Sequence, residues 1–120
     1  MIGKRFSFLL VVLSVVVACS QTVSDVASDM SAKQIMRLAE EKNTRNKFRE
    51  AAEIYLKVDE YYPYSDDARL ALIEAAKADH ASSQLLDLRI TARRYLNLYP
   101  KEKRAPLAKY LVGMSYFEQI

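Results

Sequence analysis

From Ser31 onward apolar side chains recur at three- and four-residue spacing, and polar or proline-containing clusters punctuate the runs at Asn43-Thr44-Arg45-Asn46, Ala81-Ser82-Ser83, Pro63 to Asp66 and Pro100 to Pro106. This pattern predicts five helices over 31–43, 47–61, 66–80, 84–98 and 106–119, an all-α chain. Residues 20–30, rich in Ser, Asp and Thr, carry no sustained stripe, so 19–30 reads as a flexible tether ahead of the folded part, 31–120. Before it, Lys4 and Arg5 precede a run from Phe6 to Ala18 that is apolar except for Ser7 and Ser14. Such a run covers about 20 Å as a helix against a hydrocarbon core of about 30 Å, so it predicts a cleavable export signal over 1–18 rather than a permanent span.

A shift of 37 residues places Ile35, Leu38 and Ala39 over Leu72, Ala75 and Ala76, Phe48 over Leu85, Ala51 over Leu88, Val58 over Tyr95 and Pro63 over Pro100. A second shift sets Val112, Gly113 and Tyr116 beneath Ala75, Ala76 and Asp79, making the last helix the first half of a third unit. The spacing within each unit resembles the tetratricopeptide repeat. A large-then-small pair stands in the first helix (Leu38-Ala39, Val112-Gly113). A bulky residue opens the second (Phe48, Leu85), Ala51 is the small residue after it, Tyr55 the aromatic that follows, and proline marks the exit. Small residues at a helix crossing let backbones approach while bulky ones fill the groove beside them. Leu38, Ala39, Phe48, Ala51, Tyr55, Ala76, Leu85, Val112, Gly113 and Tyr116 are therefore the expected repeat core. Leu88 in the small position and Asp79 in an aromatic one predict looser or re-angled packing of the second hairpin.

Val16-Val17-Ala18-Cys19 resembles the lipobox of bacterial lipoproteins, which implies diacylglycerol on the Cys19 thiol. Cys19 is the chain's single cysteine, so lipidation would leave no disulfide and no cysteine nucleophile. Ser20 after it, where Asp would favour retention at the inner membrane, implies sorting to the outer membrane. Four segments resemble the BamD (ComL) family of outer-membrane assembly lipoproteins: Lys47 to Ala52, Tyr62-Pro63-Tyr64-Ser65 with Ala68-Arg69, Arg94 to Pro100, and Ala108 to Ile120. The resemblance implies a lipid-anchored adaptor on the periplasmic face of the outer membrane, serving β-barrel assembly. Family members carry further repeats, so this sequence matches the half that receives unfolded barrel precursors, with the half that docks on the barrel-inserting subunit in doubt. The alternatives are a generic repeat lipoprotein of the envelope, linked to peptidoglycan or DNA uptake, and a lipid-anchored enzyme.

Repeat geometry puts the second, fifth, ninth and twelfth positions of each first helix on the concave wall. These are Lys33, Met36, Glu40 and Asn43, then Leu70, Ile73, Lys77 and His80, then Leu107, Tyr110, Met114 and Phe117. Met36, Glu40, Leu70, Ile73, Lys77, Tyr110, Met114 and Phe117 are the candidate partner-binding residues, a wall graded from polar to apolar that suits an extended strand. The apolar strip at Tyr110, Met114 and Phe117 is also a candidate surface for packing or self-association through 106–120.

Composition changes this picture little. With 120 residues, 51% hydrophobic and 28% charged, the sequence holds at most one domain, and two glycines leave little material for phosphate-cradling loops. The net charge of +3 largely belongs to the export signal: without Lys4 and Arg5 there are 16 basic side chains against 15 acidic, which gives no ground for a nucleic-acid partner. Arg89, Arg93 and Arg94 with Lys101, Lys103 and Arg104 form a basic stretch, but Asp87 and Glu102 interrupt it, and a solvated face is expected. His80 is the single imidazole, so neither a catalytic triad nor a histidine metal site is assembled. Asp66-Asp67 suits the positive end of the third helix and Asp59-Glu60 flanks the turn at Pro63, neither reading as an acid/base pair. No catalytic residue, metal or cofactor is expected.

Overall fold

The computed structural model describes Val26 and residues 28–120; the export signal, Cys19 and most of the tether lie outside the described residues. Five helices follow one another: α1 Ala32–Thr44, α2 Phe48–Tyr61, α3 Asp66–Ala81, α4 Leu85–Leu98 and α5 Ala105–Phe117. Their ends are set locally. At α1 the Ser31 hydroxyl accepts from the Gln34 N–H and the Gln34 side chain accepts from the Ser31 N–H, a reciprocal capping box. Ser65 caps α3 through the Ala68 N–H, and Asp66 and Asp67 lie in the first turn against the helix dipole. Pro106 opens α5, where its missing N–H is no loss.

The 37-residue period is written into the backbone of the turns. Asn46 and Ser83 both adopt left-handed conformations, with φ of 59° and 58°. The Lys47 N–H donates to the Lys42 carbonyl at 3.0 Å and the Gln84 N–H to the Asp79 carbonyl at 2.9 Å, the same six-to-one closure of α1 and α3. Tyr62 and Tyr99 end α2 and α4 with nearly identical dihedrals, φ −130° and −133°, ψ 56° and 55°. The chain is thus a succession of helical hairpins, α1–α2 and α3–α4, with α5 packed on α4 and α3 as a further first helix.

Two apolar clusters form the core. One joins Ile35, Ala39, Ala51, Ile54, Tyr55 and Val58 to the alanines of α3; the other joins Leu72, Ile73, Ala76, Leu88 and Tyr95 to Ala108 and Leu111 of α5. Small residues sit where first helices meet: Ala39, Ala75, Ala76 and Ala108 are fully buried. Leu38, Phe48, Leu85 and Val112 are partly buried at the margins of the clusters.

Three expectations need correction. Gly113 is exposed, and a Cβ built on it would meet nothing within 4 Å, so it marks no close crossing. Tyr116 is 44% exposed rather than core. In the second unit the matching Ala76 shares a cluster with Leu88 and Ala92 of α4 as well as with α5, and Asp79 accepts from Thr91 of α4, whereas among the described residues α5 packs on α3 and α4 alone. Leu88, in the small-residue position of the second hairpin, is fully buried in the second cluster. Finally, packing begins before Ser31: Val26 belongs to the first cluster, and the Tyr62 hydroxyl donates to the carbonyl of Met30.

Candidate functional site

The first helices α1, α3 and α5 supply the candidate wall, and burial divides its residues by position. Glu40 and Lys77 are exposed, Lys77 paired with Glu74 at 3.0 Å one turn earlier. Lys33 reaches Asp67 at 2.8 Å and ties α1 to α3 along the same side. Leu70 and Met114 are partly covered, while Tyr110 and Phe117 are 59% and 69% exposed. Met36 and Ile73 are buried, at 6% and 0%, and are not available to a ligand.

The reason lies in the array itself. The fifth position of each first helix faces the next first helix: Met36 packs in the cluster holding the α3 alanines, and Ile73 in the cluster holding Ala108 and Leu111 of α5. Tyr110 occupies the same position of α5 and is left in solvent. Sequence periodicity places a residue on a face but does not say whether a neighbouring repeat covers it. Behind the wall, Tyr55 is 1% exposed, and its hydroxyl is pushed up to about 12, first by burial and then by the carboxylates of Glu74 and Glu40.

Charged residues noted in the sequence are largely absorbed by internal contacts. Arg89 donates to the Ser115 hydroxyl and carbonyl and to Gln119, and lies 3.7 Å from the Tyr116 ring centroid. Arg93 donates to the Tyr116 hydroxyl at 2.6 Å. Arg94 holds Asp59, 7% exposed, at 2.7 Å and so links α4 to α2. These arginines stitch helices together rather than forming an open basic groove. His80 meets Glu118 at 2.7 Å across α3 and α5. Among the described residues no group of three metal-ligating side chains occurs, and no helix is long and apolar enough to cross a membrane.

A second feature escaped the sequence reading. A cleft of about 280 Å³ opens between α2 and α4, lined by Arg49, Glu53, Asp79, Asp87, Ile90 and Thr91 among others. Asp79 stands in it where an aromatic was expected, so the lost ring volume leaves space instead of a packed joint. Burial, then the Asp87 and Glu53 carboxylates, raise Asp79 to about 7 despite a hydrogen bond from Thr91. The departure from the repeat pattern at Asp79 was the available signal.

Comparison with known proteins gives a concordant result. The YfiO family, described as outer membrane lipoprotein, matches residues 28–120. The outer membrane protein assembly factor BamD of Caulobacter vibrioides is 32% identical over 76 residues, 63% of this chain and 25% of the relative. The aligned part thus spans a quarter of that relative's length. No solved structure gives a significant match.

Proposed function

The chain belongs to the YfiO family of outer membrane lipoproteins, and from that premise we propose that it is a lipid-anchored, non-enzymatic adaptor in outer-membrane β-barrel assembly. The family match across residues 28–120 is the observation that carries this reading, and the matched part of the assembly factor BamD supports it. In this reading Cys19 carries the lipid, the repeats face the periplasm, and the first-helix wall receives unfolded barrel precursors. Glu40, Lys77, Leu70, Tyr110, Met114 and Phe117 are the contacting residues, with Met36 and Ile73 supporting them from beneath. An extended strand offers alternating side chains to such a wall, polar at α1 and α3 and apolar at α5. The barrel-inserting subunit is the proposed partner within the machinery.

Two experiments test the reading. Tagged chain extracted from envelope membranes should co-purify with a barrel-inserting outer-membrane protein; recovery with peptidoglycan or DNA-uptake components instead would assign it to another envelope system. Cys19→Ala should abolish metabolic lipid labelling and release the chain from the membrane fraction, and normal labelling of that variant would remove the anchor.

A further inference from the structure

The 37-residue register that aligns the turns also sets Lys42 over Asp79 and Glu50 over Asp87. In the first hairpin Lys42 Nζ lies 3.2 Å from Glu50 Oε2, with the two side chains 20% and 29% exposed, so a cation closes the junction between α1 and α2. In the second hairpin a carboxylate takes the place of that cation. Asp79 is 4% exposed, and Thr91 Oγ1 donates to its Oδ2 over a long 3.4 Å. Its other oxygen has no hydrogen-bond partner among the described residues, and no cation there lies within ion-pair distance of Asp79 or Asp87. That oxygen opens on the cleft, so a carboxylate otherwise largely withdrawn from water can be reached by a positive group entering there.

We propose that the cleft between α2 and α4 docks a basic side chain, lysine or arginine, carried on a peptide segment of a partner protein, its cation filling in the second hairpin the place that Lys42 fills in the first. Asp79 lies at the bottom of the cleft, with Asp87 on α4 and Glu53 on α2 facing it. Arg49 stands at the rim, 72% exposed and 3.9 Å from Glu53, beyond hydrogen-bond reach, so the carboxylates outnumber the cation beside them. Beside the cleft Leu86 and Ile90, one turn apart on α4, are 65% and 59% exposed and offer an apolar shelf for the residues flanking the basic one. The site lies between the second helices with Asp79 of α3 at its base, uses none of the proposed wall contacts, and so stands independently of the barrel-precursor reading.

The test uses the full chain in detergent micelles and two probes, an acetylated Ala-Leu-Arg-Leu-Ala amide and the same peptide with citrulline, an uncharged isostere of arginine. The arginine peptide is expected to bind about tenfold or more tightly than the citrulline peptide and to lower the titration midpoint of the Asp79 carboxyl carbon followed by NMR. Asp79→Lys, which recreates the first hairpin's arrangement, should abolish the preference, and Asp87→Asn should weaken it while leaving helix content unchanged. Equal binding of both peptides, no binding of either, or an unaltered preference in Asp79→Lys and Asp87→Asn would overturn the proposal. So would a fall of the Asp79 midpoint that Arg49→Ala reverses without peptide, since Arg49 would then be the occupant.

Discussion

Asp79 couples the fold to pH. Its carboxyl titrates near 7 in the folded chain against 3.8 ordinarily, because burial and the Asp87 and Glu53 carboxylates disfavour the charge. Below about pH 4 both folded and unfolded chains hold the proton and the site is neutral in its effect. Between about pH 4 and about pH 7 the unfolded chain ionises first, so stability falls as pH rises, and above that window the whole penalty is present. Asp79→Asn removes this dependence while keeping an acceptor for Thr91. It should match the parent at about pH 4 and exceed it by about 1–3 kcal/mol at about pH 8 in chemical denaturation; a difference independent of pH would contradict the assignment. At the turns, Asn46 and Ser83 share a left-handed backbone, but asparagine tolerates it and serine does not. Ser83→Gly should therefore stabilise by about 1 kcal/mol and raise the melting temperature, and Asn46→Gly should change it little.

The helices themselves were legible in the sequence, since each observed boundary lies within about two residues of the punctuation that predicted it. Caps at Ser31 and Ser65 and the proline at 106 are local signals and read directly. What the sequence hid was which side of each first helix a neighbour covers. Met36 and Ile73 share a wall position with Tyr110, yet two are buried and one is exposed, because burial depends on the next hairpin and not on periodicity. The tie between Asp59 and Arg94, spanning α2 to α4, was likewise invisible, as nothing local marks a contact between second helices. The small-residue register marks a covered joint at Ala51, fully buried in the first cluster, but not at Gly113, which is exposed. Ala51→Leu should overpack that joint and destabilise by about 1–3 kcal/mol, read as a lower denaturation midpoint, whereas Gly113→Leu, with open space around its Cβ and a better helix former inside α5, should not lower the midpoint. Equal effects of the two would contradict the packing described.

Across the whole molecule, consecutive hairpins stack so that each first helix meets the next, α1 on α3 and α3 on α5, and the array presents one continuous first-helix wall. In the proposed adaptor reading, a precursor would meet the side chains left uncovered along that wall, which run from Glu40 through Lys77 to Tyr110 and Phe117. A photoreactive amino acid placed at Glu40 or Lys77 in the membrane-bound chain, with exposed Lys103 as the control position, tests this most directly. Irradiation during synthesis of outer-membrane proteins should yield adducts with unfolded β-barrel precursors from the two wall positions and few from Lys103. Adducts of equal yield from all three positions, or an absence of barrel precursors among them, would contradict a precursor-binding wall.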